Sequence, residues 1–148
     1  MKKLLLFLAL LLSSLRADSM FTLDHINNLS VYIDSRTPFM GSEERDEVKS
    51  LILSTLGANG FVFNQRDPVD LIVEITAKEV EDEMAISINF ILSQEVMARR
   101  GEQRVMTFAN VYQQNQLIIS DDPMGDTLST VEVMMLEFLK SHAADNDE

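Results

Sequence analysis

The chain has 148 residues, 24 acidic and 12 basic, for a net charge of −12. That sign disfavours nucleic acid and anionic lipid as partners, because neither would gain from counterion release on binding. Cys and Trp are absent, which excludes disulfides, thiolate metal sites and a lipid-bearing N-terminal cysteine, and leaves few flat aromatics for a sugar platform.

The opening residues read as a secretory signal peptide over residues 1–17. Lys2 and Lys3 give a positive start, Leu4–Leu12 is an unbroken apolar run, and Ser13, Ser14 and Ala17 lead to a small-residue exit before Asp18. Arg16 closes the apolar stretch well short of the roughly 20 residues that a transmembrane helix needs. The layout points to the bacterial periplasm, with no stable membrane insertion after cleavage. Cleavage after Ala17 would remove Lys2, Lys3 and Arg16 and no acid, taking the net charge from −12 to −15. The remainder is one domain's worth of chain, expected as a single domain over residues 18–142 followed by an acidic disordered tail over residues 143–148.

Leu29–Asp34 alternates apolar and polar side chains and predicts a strand. After a loop containing Pro38 and Gly41, Ser42 suits a helix N-cap, and Glu43 and Glu44 suit its positive end. Val48, Leu51, Ile52, Thr55 and Leu56 then recur at helical spacing until Gly57 and Gly60. Phe61–Phe63 predicts a short strand. Leu71–Lys78 predicts another, with Leu71, Val73, Ile75 and Ala77 on one face. Glu79, Glu81, Asp82 and Glu83 form an acidic turn. Met84–Val96 predicts a long strand, Ala98–Gln103 a charged connection around Gly101, and Arg104–Gln113 its antiparallel partner. Asn115 suggests a turn before a last short strand at Leu117–Ile119. Asp122 caps a second helix with Pro123 at its first position. Leu128, Val131, Met134, Met135, Phe138, Leu139 and His142 supply that helix with an apolar stripe, although adjacent Met134 and Met135 should not both point inward.

Strand, helix, strand, strand, hairpin, short strand, helix implies an α+β two-layer sandwich: a mostly antiparallel sheet with both helices packed on one face. Met106, Phe108 and Tyr112 fall on the sheet's other face.

No catalytic constellation emerges. His25 and His142 stand apart from any metal-binding spacing, and there is no nucleophile elbow, phosphate loop or calcium loop. His142 reads as a charge-compensating residue at a helix end. No cofactor or metal is implied, and the expectation is a protein that is not an enzyme. Arg99, Arg100 and Arg104 place three basic residues at a predicted hairpin tip of a strongly acidic domain. With Phe108 and Tyr112 they form the candidate partner-binding set.

The opening strand, helix and strand, followed by Asp67-Pro68-Val69-Asp70-Leu71-Ile72-Val73-Glu74, resemble a group of bacterial envelope domains. That group includes the amino-terminal domain of the Tol translocation protein, the lipoprotein activators of penicillin-binding proteins and the curli secretion lipoprotein. The resemblance runs from Leu29 to the final helix as an order of elements. It departs in lacking a lipobox cysteine and in placing Glu74 and Thr76 where a glycine often follows the strand. It implies an adaptor or assembly role and carries over no catalytic or binding residue. The expectation is therefore a periplasmic accessory protein that binds another envelope protein, in envelope biogenesis or a trans-envelope machine such as a secretion or flagellar apparatus. The alternative is a small-molecule or lipid carrier with a cavity between sheet and helices.

Overall fold

The structure, a computed structural model, describes residues 23–146; the export segment expected over residues 1–17 lies outside them. The elements are β1 (Asn28–Arg36), α1 (Ser42–Ala58), β2 (Val62–Phe63), β3 (Val69–Val80), β4 (Glu83–Arg100), β5 (Gln103–Ser120) and α2 (Pro123–Asn146). They form a five-stranded sheet in the order β2-β1-β3-β4-β5. β1 runs parallel to β2 and β3, while the longer β3–β4 and β4–β5 ladders are antiparallel. The fold class is α+β, as the order of elements implied.

The two helices cover one face. Leu71, Val73 and Ile75 on β3 lie opposite Leu92, Phe90 and Ile88 on β4, and all six are buried. Val48, Ile52 and Leu56 from α1 and Val131, Met134, Met135 and Phe138 from α2 close the core over them. Removing each such side chain from water stabilises the fold by about 1.5–3 kcal/mol.

Local chemistry sets the ends of the elements. Gly41, not Ser42, is the N-cap of α1: the Gly41 N–H donates to the Glu44 carboxylate at 2.8 Å. Gly60 at φ +88° reverses the chain after α1, and the Phe61 N–H donates back to the Leu56 carbonyl. The Asn28 side chain accepts from the Gln65 N–H and donates to the Arg66 carbonyl, fastening the β2–β3 loop to the start of β1. Both antiparallel hairpins close through two-residue loops, Glu81-Asp82 and Gly101-Glu102. The Asp122 carboxylate accepts from the Gly125 N–H, so α2 starts at Pro123.

Four further expectations are corrected. Asn115 is not a turn: β5 continues through it, and its side-chain amide donates across the sheet to the Asn89 side-chain oxygen at 2.6 Å. Met134 and Met135 are both fully buried, because α2 is wedged between the sheet and α1 and neighbouring helix positions can each face one of these. His142 does not stand at a helix end. Its Nε2 lies 2.7 Å from the Ile26 carbonyl and its ring packs on Phe61, so Nε2 is the protonated, donating nitrogen.

The acidic tail is the fourth correction as far as Asn146, since α2 runs on through Ala143 to that residue; residues 147–148 lie outside the described ones. The last turn of α2 clasps the start of the described chain. The Asp145 carboxylate accepts from the Leu23 N–H at 2.7 Å, the Asn146 side-chain oxygen accepts from the His25 N–H, and the Asn146 amide donates to the Leu23 carbonyl. These bonds hold buried Leu23 and Ile26 against the core. Ending the chain at Ala144 is expected to cost about 2 kcal/mol, read as a lower urea midpoint at unchanged slope; a frayed tail would leave the midpoint where it was.

Candidate functional site

β4 and β5 are longer than the strand beside them. β3 pairs with β4 only from Glu83 to Ser93. Beyond that point Gln94–Arg100 pairs with Gln103–Ala109 alone. The excess is a two-stranded ribbon about 20 Å long, at roughly 3.3 Å per residue. Among the described residues, nothing in the ribbon belongs to the buried core.

A β-bulge lies at the ribbon's base. Leu92 is opposite Tyr112 and Ser93 is opposite Asn110, which leaves Val111 as an extra residue on β5. Simple alternation places Phe108 and Tyr112 on the same face. The bulge separates them. Tyr112 shares the helix side with buried Leu92, and its ring meets Phe138 edge-on at 5.3 Å. Tyr112 is thus a supporting side chain of the core, and its expected place on the outer face is corrected. Phe108 stays on the outer face, opposite Glu95 and 68 % exposed.

Next to Phe108 along the ribbon are Met97 and Met106, opposite each other and 60 % and 52 % exposed. Arg99 and Arg104 follow, also directly opposite each other, with Arg100 beside them at the turn. Like charges facing across a ladder destabilise it, and a lone two-stranded ribbon is marginal even without them. Among the described residues, ion pairs are limited to His25–Asp24, Arg36–Asp34 and Arg66–Asp67, so these arginines lack an acidic partner there. Arg99 and Arg104 thus share the outer face of the ribbon with Phe108, Met97 and Met106, while Arg100 lies at the turn on the helix side.

β5 also forms the outside edge of the sheet. Exposed Leu117 and Ile119 continue its outer stripe toward α2. Neither was singled out from the sequence, although one signal was there: Val105–Ser120 contains no charged residue. On the helix side, Gln116, Ile118 and Val133 line an open groove between β5 and α2. Between sheet and helices, where a carrier would need space, Ile52, Leu56, Phe90, Met134 and Phe138 are packed and buried. No three His, Cys, Asp or Glu side chains converge as a metal site would require, and no helix is long and apolar enough to cross a membrane, among the described residues.

No family model matches the chain, and no curated protein does. Solved structures give partial likenesses. One, described only as an uncharacterized protein, is 14 % identical, covers 80 % of this chain and 96 % of its own, and has a TM-score of 0.39. A minor lipoprotein from Acinetobacter baumannii is 14 % identical over 78 % of this chain and 86 % of its own, with a TM-score of 0.29.

Tyr112 offers a direct check of the bulge. Burial foremost, then the Glu137 carboxylate, pushes its phenol above the ordinary 10.0, against a smaller lowering by a hydrogen bond with Ser141. The folded state holds this proton more tightly than the unfolded chain does. Its contribution to stability is therefore complete below pH 10.0 and is lost as pH rises through the folded value. Tyr112→Phe is expected to flatten that alkaline decline and to remove the higher step from an ultraviolet titration of phenolate. An unchanged titration would return Tyr112 to the solvent face.

Proposed function

We propose that this protein is a non-enzymatic accessory protein of the bacterial envelope, acting in the periplasm, that binds another envelope protein through the outer side of the β4–β5 ribbon. The observation that carries the reading is the exposed stripe of Met97, Met106 and Phe108 on a ribbon that extends past β3 and past the core. Two adaptable thioethers beside an aromatic ring suit contact with another protein's apolar surface. The arginines give the stripe a basic end, fit for an acidic rim. The Lys2-Lys3 start, the Leu4–Leu12 run and the exit at Ala17 support export. The resemblance of its order of elements to that of Tol-type and penicillin-binding-protein-activator domains favours an assembly role rather than catalysis.

A photo-crosslinking side chain placed at Phe108 in cells is expected to capture one dominant envelope protein. Met106→Asp with Phe108→Asp should abolish that capture while leaving the unfolding free energy from urea denaturation within about 0.5 kcal/mol, since both side chains are exposed. Full rescue of a deletion phenotype by the same double variant would rule the ribbon out as the docking surface.

A further inference from the structure

We infer that β5 is a self-pairing edge, and that the partner seated along it is a second copy of this chain in antiparallel register. This goes beyond the proposed envelope docking and does not rest on it: it is carried by the backbone edge of β5, although the arginine tip and Met106 enter both.

β5 is long and open to solvent. Sheet edges are commonly blocked by lysine, proline, charge or short length. β5 spans 18 residues, and from Val105 to Ser120 it has no charge and no proline. In antiparallel self-pairing, a charge near the middle of a strand would meet its own copy. A neutral centre is therefore what self-pairing requires of a chain this acidic.

The ends favour the match on balance. Full overlap of two β5 strands sets Gln103 of one copy against Ser120 of the other, so the tip of each, three arginines and Glu102, meets the other's Asp121-Asp122 turn; Glu102 falls opposite Asp121, and the three arginines outweigh that one like-charge pair. Arg99 and Arg104, opposed to each other within one copy, gain acidic neighbours from the second. Asp126, whose carboxylate accepts from the Ser120 hydroxyl, lies behind that turn.

The bulge at Val111 gives this overlap the right faces. An unbroken strand of this even length, paired end to end with itself, would set outward side chains against inward ones. The phase change at Val111 puts Arg104, Met106 and Phe108 on the outer face before the bulge, and Asn115, Leu117 and Ile119 on the same face after it. Met106 of one copy then lies beside Leu117 of the other, and Arg104 beside Ile119. On the helix side, Val105 lies beside Ile118, at the groove that Gln116, Ile118 and Val133 leave open. Each ribbon also gains the body of the other copy as a further strand, which offsets the weakness of an isolated two-stranded ribbon.

The test is sedimentation equilibrium of the chain lacking residues 1–17, with crosslinking. The expected result is a dimer. Arg99→Asp, Arg100→Asp and Arg104→Asp together should weaken it about tenfold or more, and so should Asp121→Arg with Asp122→Arg. The second change lowers the net negative charge, so general repulsion cannot explain its effect. Combining the two sets should restore the dimer. Because the chain has no cysteine, Arg104→Cys with Ile119→Cys should give an intermolecular disulfide under oxidation. The two positions are about 50 Å apart along one strand and cannot bond within a copy. A monomer across the concentration range, or a dimer unchanged by these reversals and by Leu117→Lys, would overturn the inference.

Discussion

The burial of Ile86, Ile88, Phe90 and Leu92 on one side of β4 is the constraint on which the rest of the molecule depends. All four are at most 1 % exposed. Because strand side chains alternate, fixing this row fixes which residues of β3 and β5 face the helices. β3 answers with Leu71, Val73 and Ile75, and β1 with Leu29 and Val31. The two helices lie over the resulting apolar surface because both carry buried stripes that need covering. A register slip of one residue anywhere in β4 would turn the whole row to solvent, so the ladder has little freedom.

That constraint ends at Leu92, and the character of the chain changes there. Beyond it β4 alternates Gln94, Val96, Ala98 and Arg100 on the helix side, with no large buried side chain among them. The core therefore stops while the hairpin continues. Val111 marks the boundary on the partner strand. The extra residue lets Val111 and Tyr112 both contribute on the helix side, and it resets the phase so that Phe108 and Met106 face outward. The bulge thus joins a section specified by packing to one whose exposed residues are available for contact.

Much of the architecture was legible because it follows from periodicity. Alternation in Leu71–Lys78 and in Met84–Val96 identified the central strands, and helical spacing in Val48–Leu56 and Leu128–Leu139 identified the helices. What escaped depends on interactions between distant segments. The reach of β5 through Asn115 rests on a cross-strand bond to Asn89 that no local window contains. The order of the last turn of α2 rests on Leu23 and His25, more than a hundred positions away in sequence. Met134 and Met135 could both be buried only because α1 lies beside α2. Of the candidate site, the arginine tip and Phe108 were visible as composition. Tyr112 was misplaced because a bulge is invisible to a period of two, and Met97 was hidden at the boundary between a predicted strand and a predicted loop.

The distribution of charge ties these features together. An acidic domain that places three arginines at the far end of a marginal ribbon, two of them face to face, has a local conflict between charge and stability. Natural sequences keep local and global preferences consistent except where a function intervenes. Solubility does not account for the arrangement, since acidic side chains at the same positions would serve it as well and would match the rest of the surface. Packing does not account for it either, because the ribbon lies beyond the core. On the proposed reading, an acidic surface and an additional strand or apolar contact from outside the monomer would relieve the conflict. The contacts so proposed are both electrostatic and apolar, and Arg99, Arg104, Met97, Met106 and Phe108 share a single outer face for them.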